Sequence, residues 1–239
     1  MAGAGTGVAA GPVIVDAADR PIREINQDIR TALSGGSAVT VTNPGARHNL
    51  GVALLGAGDV HFDGSVGYYC AGMSDGASVK VTGSAGWGLA EGMLSGLVVV
   101  DGNAGNSAAA SIRGGTVVVR GDCAARAGVA MKGGRLLIGG DAGYMTGFMM
   151  QKGVIAIAGD AGDALADSMY EGTVFVGGEI ASLGNDTVVE PATDSEQAEL
   201  ETAFAEFGLP KPPPFRRIVA GRKLWNFEKR ELETWRAAL

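Results

Sequence analysis

The sequence predicts an all-β protein: a right-handed parallel β-helix of 19-residue coils with flanking N- and C-terminal helices. Two observations carry this prediction: a glycine recurs every 19 residues, and apolar residues recur in phase with it. The repeat also contains no apolar period long enough for a helix. Apolar residues occur 15 and 17 positions after each leading glycine. Because one such unit cannot bury its apolar side alone, consecutive units must stack. The leading glycines recur every 19 residues, at Gly45, Gly64, Gly83, Gly102, Gly121, Gly140, Gly159 and Gly178.

Each coil is predicted to contribute one short strand. A spacing of two places both apolar columns on one side of that strand, facing the interior. Glycines on both sides of the strand are expected to supply turn conformations that other residues resist. The columns read Val60, Val79, Val98, Val117, Leu136, Ile155, Val174 and Phe62, Val81, Val100, Val119, Ile138, Ile157, Val176.

A third column, ten residues after each glycine, predicts a second interior wall made largely of methionine. It reads Leu55, Ser74, Met93, Ile112, Met131, Met150 and Met169. With these walls, about seven coils occupy residues 45–190, and Pro191 falls where the next coil would need its corner.

The segments on either side of the coils are predicted to be helical in part. Residues 1–44 form a lead with a capping helix at 21–33, where isoleucines recur on one face. Residues 191–239 contain a second helix at 194–207, a proline-rich linker and a tail. The tail combines Arg216, Arg217, Arg222 and Lys223 with aromatic residues such as Trp225. It either folds back along the rod or forms a docking arm for a partner subunit.

Composition limits the function classes. The chain has 239 residues and a net charge of −7, so nucleic acid is not an expected partner. No apolar run is long enough to span a membrane, and the first residues lack signal-peptide features, so we expect a cytoplasmic protein. Cys70 and Cys123 lie at different positions of different coils, which argues against a disulfide.

The sequence predicts no catalytic, cofactor-binding or metal-binding residue in this chain. Neither His48 nor His61 lies in a nucleophile motif, and two histidines with two cysteines do not make a closed zinc or iron–sulfur site. Asp160, Asp163 and Asp167 could form an acid/base or cation site. The residue after the leading glycine is polar in six consecutive coils, however, from Ser65 to Asp160, which favours a turn role for Asp160.

An apolar stripe on the outer side of the strands is the predicted interface. A sheet face in contact with water should be polar, so this stripe must be covered. Either a partner subunit or the chain's own C-terminal segment covers it. The interface candidates are Leu97, Val99, Val118, Leu137, Val154, Phe175, Arg222, Lys223 and Trp225.

Several runs resemble the small GXGXG subunit of glutamate-synthase-type enzymes. They are GSVGYYCAGMSDG at 64–76, GSAGWGLAEGMLSG at 83–96, GDAGDALADSMYEG at 159–172 and GRKLWNF at 221–227. The resemblance covers roughly residues 20–227 and is closest to the stand-alone small subunit of N-methylglutamate synthase. The longer N-terminal lead and the PKPPP run at 210–214 depart from the family pattern.

The resemblance implies a right-handed β-helix that acts as a non-catalytic scaffold in a hetero-oligomer. The implied partners are a glutaminase-like amidotransferase subunit and a synthase subunit that carries FMN and iron–sulfur clusters. Two alternatives stay open. One is a protein like the GXGXG β-helix subunit of formylmethanofuran dehydrogenase, and the other is a structural β-solenoid that assembles with itself.

Overall fold

The computed structural model describes residues 11–211 and 213–222, and a parallel β-solenoid of about seven turns dominates it. The predicted all-β parallel fold is therefore confirmed. The strands are β1 (Val13–Asp16), β2 (Val39–Thr42), β3 (Leu55–Asp63), β4 (Asp75–Val81), β5 (Ser95–Val100), β6 (Thr116–Val119), β7 (Lys132–Ile138), β8 (Lys152–Ile157), β9 (Thr173–Val176), β10 (Thr187–Pro191) and β11 (Arg216–Ala220), and the helices are α1 (Ile22–Ser34) and α2 (Asp194–Glu206).

The strands form one sheet in which β1 to β9 are parallel neighbours in chain order. Its order is β1-β2-β3-β4-β5-β6-β7-β8-β9-β11-β10. The 19-residue period is the register itself, because Val60 pairs with Val79 and Val79 with Val98. Every residue of the two columns predicted to face inward is buried. A second side of each coil is a row of single parallel bridges, from Val66 and Ala85 through to Ile180.

The methionine wall exists, with one misplaced residue. Met93, Met131, Met150 and Met169 are buried, but Leu55 is 72% exposed. The register between β3 and β4 shifts at Leu55, and in that coil Leu54 takes the interior position. A bulge of this kind moves side chains from one face to the other, which a fixed 19-residue count does not detect.

Most leading glycines are needed because a side chain at their position would collide with the preceding coil, and not because the backbone is left-handed there. Gly140 does not have a positive φ, but a Cβ at this position would lie closer than 3.0 Å to Oδ1 of Asp122 in the coil before. Gly159 meets Asp141 in the same way. The expectation of turn conformations thus fails for these glycines, because stacked coils leave no room for a side chain.

Both ends of the solenoid are longer than the repeat alone indicates. Helix α1 matches the predicted helix and buries Ile25 and Ile29 against the main core. Strand β1 extends the sheet beyond β2 in parallel. At the other end, β11 pairs antiparallel with both β9 and β10. Strands β1 and β11 were not predicted, because they lie outside the 19-residue repeat.

Candidate functional site

The outer apolar stripe lies largely beneath the chain's own helix α2. Val118 and Leu137 are buried, and Phe175 is 3% exposed. They form a second core with Leu200 and Phe204 of α2. The remaining stripe candidates, Leu97, Val99 and Val154, are half-buried and pack against the same cluster. The alternative in which the C-terminal segment covers the stripe is therefore the one that the structure supports.

Helix α2 is held over the stripe by polar contacts in its N-terminal half. Thr193 and Glu196 form a reciprocal capping box at its start. Glu196 also pairs with Arg217 of β11 at 3.1 Å, and Glu199 pairs with Arg135 of β7 at 2.6 Å. The hydrogen bond from the Thr193 N–H, followed by the contacts with the Thr193 hydroxyl and Arg217, lowers the pKa of Glu196.

The basic tail begins by folding back along the sheet. Arg216 and Arg217 lie in β11, next to β9. Arg217 also pairs with Glu190. Arg222 is exposed and lines a groove of about 590 Å³ that Tyr170 and Glu190 also line. The other two tail candidates, Lys223 and Trp225, lie outside the described residues.

The acidic residues that could have formed a site are engaged in coil-to-coil bonds. Asp160 accepts a hydrogen bond from the Glu179 N–H at 2.7 Å and Asp163 accepts one from Ser182 Oγ at 2.9 Å. Asp167 is 7% exposed and accepts from Ser168 and Asn185. Asp160 thus bonds the next coil, and this contact differs from the local turn that the sequence predicted for it. The same ladder runs through Ser65, Ser84, Asn103, Asp122, Asp141 and Asp160, each accepting from the backbone one coil on.

The histidines and cysteines serve the solenoid too. His48 accepts a hydrogen bond from the Tyr68 N–H at 2.9 Å, whereas Nε2 of His61 is buried without a partner. Both cysteines are buried and unpaired with each other, as expected. Burial raises the pKa of the Cys70 thiol to about 12 and also raises that of Cys123. Among the described residues, no group of three or more acidic, histidine or cysteine side chains could hold a metal ion.

A cluster of exposed aromatic rings lies on the third side of the first coils, and sequence reasoning missed it. We call Tyr68, Tyr69 and Trp87 the aromatic face; their exposed fractions are 37%, 48% and 52%. Tyr68 stacks between His48 at 4.2 Å and Trp87 at 5.2 Å, measured between ring centroids. The sequence does contain a signal for this cluster, because each ring lies over a glycine of the next coil. These glycines belong to the run GSAGWGLAEG and to the corresponding run one coil later.

The aromatic face is suited to protein binding more than to catalysis. Tyr and Trp supply large contact areas with few rotatable bonds, which is why they are enriched in interfaces. Here two of the rings stack on one another, and the neighbouring His48 accepts a hydrogen bond from the backbone. Over the described ranges 11–211 and 213–222, neither helix is long and apolar enough to cross a membrane.

The comparisons with known proteins give one partial relative. Over 82 residues the chain is 44% identical to Protein GlxC of Rhizobium meliloti (strain 1021). The match covers 34% of this chain and 36% of GlxC, about a third of each. No protein-family model matches the chain.

Proposed function

We propose that this chain is a non-catalytic scaffold subunit of a glutamate-synthase-type complex, either N-methylglutamate synthase or glutamate synthase. It would join a glutaminase-like amidotransferase subunit to a synthase subunit that carries FMN and iron–sulfur clusters. The resemblance of the glycine-rich runs supports this proposal, and so does the partial identity with GlxC, which favours a glutamate-synthase-related protein.

The observation that carries the proposal is the aromatic face. Trp87 and Tyr69 are about half exposed; both lie in turn segments, and the Trp87 ring stacks on that of Tyr68. An exposed aromatic cluster is typical of a surface that a partner covers. It lies on coils 64–82 and 83–101, which also carry two of the runs behind the resemblance.

A solenoid suits a coupling role because its parts keep fixed distances. Each coil is hydrogen-bonded to the next on several sides, so two partners bound to one rod would hold a constant separation. In the complex, the cofactors of the synthase subunit would supply the electron transfer. This chain would orient the two catalytic subunits and exclude solvent between them.

Open-ended self-assembly is the weaker hypothesis. At one end of the sheet, β11 is inserted between β9 and β10 and is antiparallel to both. The parallel 19-residue register is therefore interrupted before the edge strand β10, so a copy added there would not continue the ladder of β1 to β9. The exposed edge strand β1 remains at the other end, and it is only four residues long.

The test is reconstitution with co-expressed amidotransferase and synthase subunits. We expect the isolated chain to be colourless and inactive, and the complex to show flavin absorbance and glutamine-dependent synthase activity that is lost without this chain. Replacing both Tyr68 and Trp87 by alanine should weaken assembly, whereas Ile14→Ala, at a still more exposed apolar position on β1, should not. Stoichiometric FMN or glutaminase activity in the isolated chain would overturn the proposal, and so would failure of the three chains to associate. Ordered polymers of the chain alone would support the structural solenoid instead.

A further inference from the structure

Three basic side chains lie on consecutive coils at one corner of the rod. We call Arg113, Lys132 and Lys152 the cationic ridge; all three are exposed. The N–H of Arg113 donates to Met93, and that of Lys132 donates to Ile112, each one coil before. Lys132 is in turn the register partner of Lys152. The coil spacing therefore holds these residues about 4.8 Å apart from one to the next along the backbone ladder.

The ridge carries charge that the chain does not neutralise. Within the part of the chain that the structure describes, none of its three members forms an ion pair. Nearby cations do, since Arg120 pairs with Asp101 at 2.9 Å and Arg135 with Glu199 at 2.6 Å. Like charges opposite each other on neighbouring strands destabilise a sheet. Such a cluster is therefore locally destabilising.

We propose that the cationic ridge binds an acidic, extended segment of a partner subunit. This inference rests on the proposed function and names a second contact of the same assembly. The charge of the ridge is complementary to carboxylates, and among the described residues no ridge member forms an ion pair, not even with the flanking acidic residues Asp75 and Glu171. Nucleic acid would demand a larger basic surface than three residues on an acidic protein.

The residues on either side of the ridge indicate how long the bound segment of the partner is. Leu94, 43% exposed, precedes Arg113 by one coil, and Tyr170, 37% exposed, lies one coil beyond Lys152. The acidic residues Asp75 and Glu171 bound this stretch. Four coil spacings make about 19 Å, which about six residues of extended chain span. The expected segment thus has acidic residues in its centre and apolar residues at its ends.

Charge reversal in the reconstituted three-subunit complex tests the ridge. Lys132→Glu together with Lys152→Glu should weaken assembly about tenfold or more at low salt and flatten its salt dependence. The control is Arg23→Glu together with Lys211→Glu, which changes the net charge equally at two exposed positions elsewhere. The control should assemble like the wild type. Equal assembly of the ridge variant and the wild type at every salt concentration would overturn the ridge and leave the proposed function standing.

Zero-length cross-linking identifies the occupant. A carbodiimide joins a lysine amine to a carboxylate as an amide, with water taken up by the carbodiimide as it becomes a urea. In the wild-type complex, links from Lys132 and Lys152 to an acidic segment of another subunit would support the proposal. Links only to carboxylates of this chain, or preferential binding of a single-stranded DNA oligomer at the ridge, would overturn it. If the wild-type subunits do not associate at all, the proposed function fails together with the ridge.

Discussion

The side-chain oxygen of Asn26 in α1 accepts a hydrogen bond from the backbone N–H of Gly51 in the first coil, at 2.8 Å. The amide nitrogen of the same side chain donates to the Asn49 carbonyl, also at 2.8 Å. Asn26 is only 8% exposed. Helix α1 is therefore fixed to the end of the solenoid by a buried polar bridge as well as by apolar packing.

Replacing Asn26 with leucine should lower the free energy of unfolding by about 1–3 kcal/mol, because a buried N–H and a partly buried carbonyl lose their partners. Urea unfolding followed by circular dichroism measures the change. Gln27→Ala, on the exposed side of the same helix, is the control and should have little effect. Equal stability of the two variants would show that water replaces the bridge without loss.

Met131→Ala should lower the free energy of unfolding by about 2–5 kcal/mol, because it opens a cavity inside the rod. Met131 has no exposed surface, and Ile112 and Met150 occupy the same column in the coils on either side. Met73, 60% exposed, provides the control, and Met73→Ala should leave the thermal midpoint nearly unchanged. A small effect at Met131 would mean that the wall repacks around the missing side chain.

Leu137→Glu should destabilise the isolated chain, by at least about 3 kcal/mol, because it places a carboxylate under α2. If a partner subunit covered the stripe, the same charge would leave the free subunit folded and abolish only complex formation. Limited proteolysis should show α2 released from the sheet. Ala198→Glu puts the same charge on the exposed side of α2 and should leave both stability and protease resistance intact.

The attachment of α2 should weaken in acid. The folded-state pKa of Glu196 is lowered, so its contribution to stability is present above the unfolded-state pKa of about 4.3 and is lost as the pH falls through the lower folded-state value. Unfolding measured from pH 6 down to pH 3 should show this loss. Glu196→Gln should reduce the pH dependence, whereas Glu206→Gln, at the exposed end of α2, should not. Parallel pH curves for the wild type and Glu196→Gln would contradict this assignment.

The sequence predicted what the period controls and missed what lies outside it. Val98 and Met131 are buried where their columns place them, because parallel strands in register repeat one environment in every coil. Leu55 was wrongly predicted to be buried, because a bulge shifts the register between β3 and β4 at this residue. Tyr69 and Ala130 have positive φ values, 61° and 53°, on the third side. Neither residue type signals that conformation in a sequence, since both ordinarily resist it.

The candidate site was predicted less well, for a physical reason. The stripe around Val118 was correctly identified as apolar and in need of cover. Periodicity does not show which segment supplies that cover, because the connection from β9 to α2 has no repeat to follow. The exposure of Trp87 was not predicted, because it depends on Gly105 in the next coil, over which the Trp87 ring lies.

The glycine period reflects the close approach of neighbouring coils. At Gly140 a Cβ would collide with Oδ1 of Asp122 and would lie 3.0 Å and 3.1 Å from the Gly121 carbonyl carbon and oxygen. Gly140→Ala should therefore lower the free energy of unfolding by about 1–3 kcal/mol through overpacking. Gly35→Ala, at the end of α1 with a φ of −80°, should change it little.

A second substitution separates this collision from a general intolerance of side chains. Asp122→Ala removes the colliding oxygen and also the acceptor for the Asp141 N–H, so alone it should be destabilising. Combined with Gly140→Ala, it should cost less than the sum of the two single changes, because the oxygen that the new methyl group would meet is gone. Urea unfolding of the four proteins gives the coupling free energy. If the two changes in unfolding free energy were strictly additive, the backbone of Gly121, and not the Asp122 side chain, would be what requires glycine at position 140.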